Sequence, residues 1–321
     1  MPSRSIKIRY GLFKLFSFLF LLTVVFQYSV FSQNIELNRS IRFLVISDWG
    51  GYGSDDQKAV GVAMDKEAEN IHAQFVITAG DNFHGNGISS EKDPRWKTEF
   101  EDIYNGKNLS IPWYPTLGNH DNRGNAEAEL KYSQLSTRWK FPSRYYAQEE
   151  TAGDSLNVLI VHLDTSPFIR EYRTRKDNNH ILSQDPEIQL IWLDSVLSHS
   201  KSLWKIVVGH HPVYSAATAH GDQQDMIDKI LPVLQKYQIP VYINGHDHIL
   251  QHLRNGGLDF FICGDGAKPR DVVERKDVVF GVKSLGFMSI LIDKDGMHAN
   301  FINSENKVLH SVFIPPIGKL H

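Results

Sequence analysis

Short apolar runs that end in polar residues recur along the chain, and they constrain its fold more than any other feature. Five of them are of the buried-strand type and read FLVIS, FVITAG, WYPTLG, KIVVG and PVYING. Amphipathic stretches lie between several of them, and residues 55–73, 125–139, 186–200 and 222–238 indicate helices. Strands that alternate with helices indicate an α/β fold built in layers.

The segment from 249 to 314 has a different character, because short strand-like runs follow one another there without helices. They read ILQHLR, LDFFIC, VVFGV, GFMSILID, MHANFIN and KVLHSVFI, and Gly, Asn or Asp turn signals separate them. The β-rich tail after the alternating part predicts a fold with two sheets. No repeat or linker interrupts residues 41–315, so we expect them to form one domain.

Polar residues follow each of the five strand-like runs directly. In an α/β sheet such positions lie at the carboxyl ends of strands, where the loops form the ligand crevice. Glycine precedes four of the five groups and allows the backbone to turn sharply there. The groups are Asp48-Trp49-Gly50, Asp81-Asn82-Phe83-His84, Asn119-His120-Asp121, His210-His211-Pro212 and His246-Asp247-His248.

These residue types are typical of a metal site. Carboxylates, imidazoles and an amide oxygen are ligands for transition metals, and no thiolate is offered. Two carboxylates with several histidines exceed the needs of one tetrahedral zinc ion. One shared aspartate can hold two ions about 3.5–4 Å apart, the spacing used for phosphoryl displacement. A single group of this kind fits a turn or a helix cap equally well, but five in this order predict a binuclear centre.

Charge, cysteine content and missing motifs exclude several other classes of protein. The net charge is −3, so no basic surface favours nucleic acid as a partner. Cys263 is the only cysteine, which rules out an intramolecular disulfide, and its apolar surroundings indicate a buried hydrophobic residue. The sequence contains neither a Gly-x-Ser-x-Gly nucleophile elbow nor a Walker loop.

The N-terminus has the pattern of a secretory signal. Four basic residues precede the apolar run LFSFLFLLTVVF, and the small residues Val30 and Ser32 follow it. We therefore predict a signal peptide at residues 1–32 and export to the periplasm or the outside of the cell. An uncleaved membrane anchor is the alternative, since a somewhat longer apolar helix would span a bilayer.

The motifs DWG, GDNFH, GNHD, VVGHHP and GHDH resemble the five motif blocks of the calcineurin-like metallophosphoesterases. Residues 41–315 are most similar to purple acid phosphatases of the tartrate-resistant type, and PWYPTLGNHD and HHPVYSAATAHG strengthen that likeness. The resemblance implies a four-layer α/β/β/α sandwich of two mixed sheets flanked by helices. It also implies a phosphomonoesterase with two metal ions, iron being expected and zinc or manganese being alternatives.

The resemblance assigns roles to individual residues. Asp81 would bridge the two metals, and His120 and His220 would lie near the phosphate and the leaving group. The metal ligands would be Asp48, Asp81 and His248 at the first ion, and Asp81, Asn119, His210 and His246 at the second. His211 occupies a variable position of the family, where packing or contact with solvent is expected.

His84 departs from the pattern of the purple acid phosphatases, which have a tyrosine at this position. The phenolate of that tyrosine binds iron(III) and produces the purple colour. Other metallophosphoesterases place a histidine two residues after the first aspartate, where this chain has Gly50. We expect His84 to supply that missing imidazole as a ligand of the first metal. In the alternative, His84 points away and the first metal keeps three protein ligands.

The chemistry implied is hydrolysis of a small phosphate monoester by hydroxide formed at the two metals. A phosphodiesterase or nucleotidase with the same metals is one alternative, and a non-catalytic metal-binding surface protein is another. We expect a monomer without a nucleic-acid partner, and without a stable membrane partner apart from possible N-terminal anchoring.

Overall fold

The computed structural model describes residues 37–174 and 179–316, and thirteen strands lie in this part of the chain. They are β1 (Ile41–Ile46), β2 (Phe75–Ala79), β3 (Trp113–Thr116), β4 (Tyr146–Ala152), β5 (Leu156–His162), β6 (Trp204–Val208), β7 (Val241–Asn244), β8 (Leu250–Asn255), β9 (Leu258–Cys263), β10 (Val278–Val282), β11 (Gly286–Ile292), β12 (Met297–Asn303) and β13 (Val308–Ile314).

The strands form two mixed sheets. The first sheet has the order β13-β12-β11-β1-β2-β3, with β1, β2 and β3 parallel and the other neighbours antiparallel. The second has the order β10-β8-β9-β7-β6-β5-β4, with β5, β6, β7 and β9 parallel. The β-rich tail contributes strands to both sheets, and it lacks crossover helices because successive strands there pair antiparallel, as β8 with β9 and β11 with β12.

The α-helices are α1 (Asp55–Ile71), α2 (Asn119–Arg123), α3 (Ala126–Tyr132), α4 (Arg170–Arg173), α5 (Asn179–Leu182), α6 (Pro186–His199), α7 (Gln224–Lys229) and α8 (Leu231–Lys236). A π-helical turn (Trp96–Glu101) and two 3₁₀ turns (Lys107–Leu109 and Ser166–Phe168) also lie in the described part of the chain. The two long helices begin at residues that cap them. The Ser54 hydroxyl accepts from the Gln57 N–H at α1, and the Asp185 carboxylate accepts from the Glu187 N–H at α6.

Alternation along the strands creates three apolar layers. In β1, Phe43 and Val45 face the core between the sheets, whereas Leu44 and Ile46 face α1 on the outside. Leu193 of α6 packs in a third core on the outer face of the second sheet. Helices therefore cover both outer faces, and the expected four-layer α/β/β/α sandwich is confirmed.

Two predicted helices are shorter than their sequence pattern indicated. The stretch 222–238 forms α7 and α8 with a break at Ile230, because Pro232 has no N–H to continue the first helix. The stretch after Asn125 ends its helix at Tyr132. The chain continues beyond Tyr132 as turns, and the Ser133 hydroxyl accepts from the Phe141 N–H at 2.9 Å.

The predicted signal peptide at residues 1–32 lies outside the described residues. Among residues 37–174 and 179–316, no helix has both the length and the apolar character needed to cross a bilayer. Among the described residues the first strand begins at Ile41 and the last ends at Ile314, so the predicted domain 41–315 contains every strand described. Cys263 is fully buried in β9.

Candidate metal centre

The carboxyl ends of β1, β2 and β3 and those of β6 and β7 meet at one edge of the sandwich. Three residues there have left-handed backbone angles, with φ of 53° at Asp48, 49° at Asp81 and 70° at His246. Such angles are uncommon in residues other than glycine and cost about 1–3 kcal/mol each. They reverse the chain directly after the strand and turn the three side chains towards the same point.

Glycine backbone is needed where these carboxylates pack against neighbouring loops. A Cβ atom on Gly118 would overlap the Asp81 carboxylate, and one on Gly245 would overlap the Ser47 hydroxyl and the Asp48 carboxylate. The glycines that precede the polar groups in the sequence therefore have a steric role as well as a conformational one.

Asp81 lies at the centre of the polar cluster. Its Oδ2 atom is 3.5 Å from His210 Nε2, 3.8 Å from His84 Nε2 and 3.9 Å from His120 Nε2. Its Oδ1 atom accepts from the His120 N–H at 2.9 Å. Burial opposes ionisation of Asp81, but the interactions with His210 and the other histidines outweigh it and hold the pKa well below its usual range. Asp81 is thus an ionised carboxylate between two groups of imidazoles.

The first of these groups contains Asp48, His84 and His248, whose ligand-type atoms lie within 4.8 Å of one another. Asp48 Oδ1 is 3.4 Å from His248 Nε2 and has no hydrogen-bond partner although it is buried. Asp48 Oδ2 accepts from the Ser47 hydroxyl and the His246 N–H. Burial, and then the nearby Asp81 carboxylate, raise the pKa of Asp48 well above its usual value, although His210 opposes this shift.

The second group contains Asn119, His210 and His246. Asn119 Oδ1 is 3.2 Å from His210 Nε2 and 3.0 Å from His246 Nδ1, and these two ring nitrogens are 3.2 Å apart. Burial opposes protonation of His210, but Asp81 and Asp48 raise its pKa to about 9. A metal cation bound at this point would take the place of that ring proton.

Three of the histidines are oriented by backbone carbonyls in a manner typical of metal ligands. When the ring Nδ1–H donates to a carbonyl, the lone pair on Nε2 is left for a metal. The pairs are His84 with Gly50 at 2.8 Å, His210 with Ala79 at 3.0 Å and His248 with Lys268 at 2.8 Å. Burial also lowers the pKa of His84 and brings that of His248 to about 4, so both rings are neutral near pH 7. The donor set therefore fits two transition-metal ions.

His84 points into the centre and not away from it. Its Nε2 atom is buried without a hydrogen-bond partner, 3.8 Å from Asp81 and 4.0 Å from Asp48. The His84 ring stacks on the His248 ring with centroids 5.2 Å apart. A Cβ on Gly50 would overlap the backbone nitrogen of His84, so the course of the chain at His84 excludes any side chain at position 50.

His120 and His220 line the cleft above the predicted ligands. His120 Nδ1 is 2.5 Å from the Gly85 carbonyl oxygen, which leaves Nε2 facing the Asp81 side of the cleft. His220 is exposed, and its ring lies over His246 with centroids 4.2 Å apart. The two predicted catalytic histidines therefore border the same cleft.

A family model described as calcineurin-like phosphoesterase matches residues 41–250, which hold all five polar groups. The chain belongs to this family. It is 34% identical over 314 residues to purple acid phosphatase 17 of Arabidopsis thaliana, covering 90% of this chain and 91% of that one. It is 34% identical over 244 residues to tartrate-resistant acid phosphatase type 5 of Oryctolagus cuniculus, covering 71% and 73%.

Among solved structures, the protein titled "GAP50 the anchor in the inner membrane complex of Plasmodium" has a TM-score of 0.77 at 23% identity. That match covers 88% of this phosphoesterase and 90% of the other chain, and it supports the fold alone. The predicted resemblance to metallophosphoesterases and the predicted class of metal-dependent phosphoric ester hydrolase are both confirmed by the family and its purple acid phosphatase relatives.

His211 of the phosphoesterase lies beside the second group, yet its nitrogens are already used. Nδ1 is 2.8 Å from the Thr165 hydroxyl and Nε2 is 3.2 Å from the Tyr172 hydroxyl. Burial lowers the pKa of His211 well below its usual value, so the ring is a neutral packing element. This geometry agrees with the expectation of packing at His211.

Sequence reasoning missed the role of Asp121. Its carboxylate accepts from the N–H groups of Gly118, Phe83 and Asn82 at 2.8, 3.0 and 3.2 Å, and so joins the loops after β2 and β3. Burial and the nearby Asp81 raise the pKa of Asp121 to about 6. The signal in the sequence is the acid three residues after Gly118, which is the spacing of a helix capping box.

The cleft above the centre has a volume of about 730 Å³. This size suits a small ligand bound against the polar cluster. Besides the residues already described, its walls include Tyr52, Asp56, Arg123, Glu171, Lys268 and Arg270.

Proposed function

We propose that the protein is an exported phosphatase that hydrolyses small phosphate monoesters with the help of two metal ions. The observation that carries the proposal is the position of Asp81. Its ionised carboxylate lies between the two groups of side chains described above, each of which can bind a metal ion, and this is the position of a bridging ligand. The purple acid phosphatase relatives support the phosphomonoesterase activity.

Each metal would have four protein ligands, with Asp81 shared. The ligand sets would be Asp48, Asp81, His84 and His248 at the first ion and Asp81, Asn119, His210 and His246 at the second. Because His84 offers a neutral nitrogen where a phenolate would favour iron(III), we expect zinc, manganese or iron(II) at the first ion. Iron remains a candidate at the second ion.

The bound ions would lower the pKa of a water molecule and neutralise charge on the phosphoryl oxygens. Side chains of the cleft would contact the phosphate and the departing oxygen. When its Nδ1–H donates to the Gly85 carbonyl, His120 turns Nε2 towards the phosphate or the departing oxygen. His220, whose ring lies against His246 at the mouth of the cleft, is placed to contact the same substrate from the other side.

Elemental analysis combined with a substrate panel tests this proposal. We expect about two transition-metal ions per chain in the wild type, and hydrolysis of an aryl phosphate in preference to its bis-aryl diester. Asp81→Asn should lose metal and at least 10³-fold in kcat/KM, because both ions depend on that carboxylate. Asp154→Asn, on an exposed turn, is the matched control. A full metal content in Asp81→Asn would refute the bridging role, and a preference for the diester would indicate a phosphodiesterase.

Export is supported by the charged and apolar N-terminal segment. Cell fractionation of the full chain, followed by N-terminal sequencing, tests it. We expect the protein outside the cytoplasm with a new N-terminus after Ser32. Recovery of an intact N-terminus in the membrane fraction would indicate an anchor, and recovery from the cytoplasm would contradict export.

A further inference from the structure

The connection between β9 and β10 passes directly beside the first metal site. Its residues 264–271 hold His248 from two sides. The His248 ring donates to the Lys268 carbonyl at 2.8 Å, and the Arg270 N–H donates to the His248 carbonyl at 2.7 Å. The backbone of this segment, called the 264–271 loop below, therefore has a fixed position relative to the centre.

The backbone of the same loop packs closely against neighbouring segments. A Cβ on Gly264 would overlap the Asp247 carbonyl, and one on Gly266 would lie 2.6 Å from Trp49 Cβ. The Lys268 N–H donates to the buried Asp265 carboxylate at 3.1 Å. A rigid base of this kind presents its outward side chains at defined positions.

Those outward side chains are the cations Lys268 and Arg270. Both are exposed, and both line the 730 Å³ cleft. Within residues 37–174 and 179–316, no carboxylate lies within 4.0 Å of either cation, although Asp56 and Glu171 border the same cleft. By contrast, Arg275 further along the same connection is paired with both Asp222 and Asp277.

A third cation, Arg123, lines the cleft on the side of His120. Its Nη1 atom is 3.2 Å from His120 Nδ1, and no ion pair joins it to a carboxylate in the described part of the chain. The scissile phosphate is already matched by the metals and His120 in the proposed function. The charges of Arg123, Lys268 and Arg270 are therefore available to interact with a part of the substrate other than the scissile phosphate.

Resting on the proposed function, we propose that Lys268 and Arg270 form a second anion subsite that selects substrates whose leaving group carries a further phosphate. Arginine binds phosphate oxygens through two parallel N–H bonds, and lysine adds a point charge. Organic diphosphates and inorganic diphosphate have this chemistry. In the reaction, the oxygen of a water molecule forms a bond to the terminal phosphorus, and the P–O bond to the second phosphate breaks. The leaving phosphate keeps the electrons of that bond, and the attacking water releases a proton.

Lys268→Gln/Arg270→Gln tests the subsite. We expect kcat/KM for inorganic diphosphate to fall about 10–100-fold, mainly through KM, because charged hydrogen bonds to the leaving phosphate are lost. The kcat/KM for an aryl monophosphate should change less than threefold. Lys276→Gln/Lys307→Gln removes the same charge from exposed positions outside the cleft and should leave both substrates unchanged.

Binding separates this inference from the proposed function. Calorimetry with metal-loaded protein compares methylenediphosphonate with inorganic phosphate. We expect the double variant to weaken binding of methylenediphosphonate about 10–100-fold and that of phosphate by less than threefold. Equal losses for both ligands, or no loss for either, would overturn the subsite. Failure of the wild type to hydrolyse the aryl phosphate would overturn the proposed function instead, and the binding comparison would still decide the subsite.

Discussion

At the scale of single residues, His84 distinguishes this chain from its purple acid phosphatase relatives. The ring is oriented by the Gly50 carbonyl and presents an unpartnered Nε2 to Asp48 and Asp81. An imidazole gives no intense charge-transfer absorption of the kind that a phenolate gives with iron(III). The colour of the protein therefore reports directly on the ligand at this position.

We expect the iron-loaded wild type to show no intense absorption band near the middle of the visible spectrum. His84→Tyr should gain such a band, because it restores the phenolate ligand of the family. His84→Phe, which has a ring of similar size but no ligand atom, should remain without the band. An intense band in the wild type would contradict the assignment of His84 as the ligand that replaces tyrosine.

The positive φ angles of Asp48, Asp81 and His246 were not predicted from the sequence. The groups that contain Asp48, Asp81 and His246 were recognised because their side chains are metal ligands placed after strand-like runs. Their left-handed backbone was not predicted, because it is uncommon in any residue other than glycine, although aspartate and histidine adopt it more often than most. It belongs to three of the five loops that converge on the centre, and the sequence does not mark which three.

At the scale of elements, the strands were predicted well because each is short, apolar and bounded by turn residues. Boundaries failed where a missing N–H or a change to turns ended a helix. Pro232 divided the stretch 222–238, and the backbone beyond Tyr132 forms turns with bonds such as Ser133 N–H to the Leu130 carbonyl. The spacing of Asp121 from Gly118 signals a helix cap, but it does not show that Asp121 also accepts from the N–H groups of Asn82 and Phe83, which lie far away in sequence.

Helix α6 offers a test of capping at this scale. Asp185 accepts from the Glu187 N–H at 2.9 Å, and Pro186 occupies the first turn. Asp185→Ala should lower the free energy of unfolding by about 1 kcal/mol, because an N–H at the helix start loses its acceptor. Urea unfolding measures the change, with Asp154→Ala on an exposed turn as the control. A loss in Asp185→Ala no larger than in the control would mean that the cap adds no stability.

At the scale of the whole molecule, His162 joins the two sheets. It lies at the end of β5, where its Nδ1 contacts the Thr116 hydroxyl of β3 at 3.0 Å and its Nε2 contacts Gln148 at 3.1 Å. The ring also stacks on Tyr146 with centroids 4.3 Å apart. Burial lowers the pKa of His162 to about 3, so the folded protein holds the ring neutral.

This depressed pKa predicts a loss of stability in acid. The contribution of neutral His162 is fully present above its unfolded pKa of about 6.5 and falls progressively as the pH drops towards 3. Between pH 6.5 and 5 the loss is about 2 kcal/mol. Urea unfolding at pH 7 and pH 5 should show a smaller difference for His162→Gln than for the wild type. The exposed His199→Gln should keep the wild-type difference, and a His162→Gln difference as large as the wild type's would refute the prediction.

The steric conflict between Gly50 and His84 also bears on how such a centre can change over time. A side chain at position 50 overlaps the backbone nitrogen of residue 84, so a histidine at position 50 requires the loop after β2 to move, whichever side chain stands at 84. A lineage that gains its nitrogen ligand at position 50 must therefore rebuild this loop. Replacing tyrosine by histidine at position 84 needs no such rebuilding, which makes it the shorter mutational route to a nitrogen ligand.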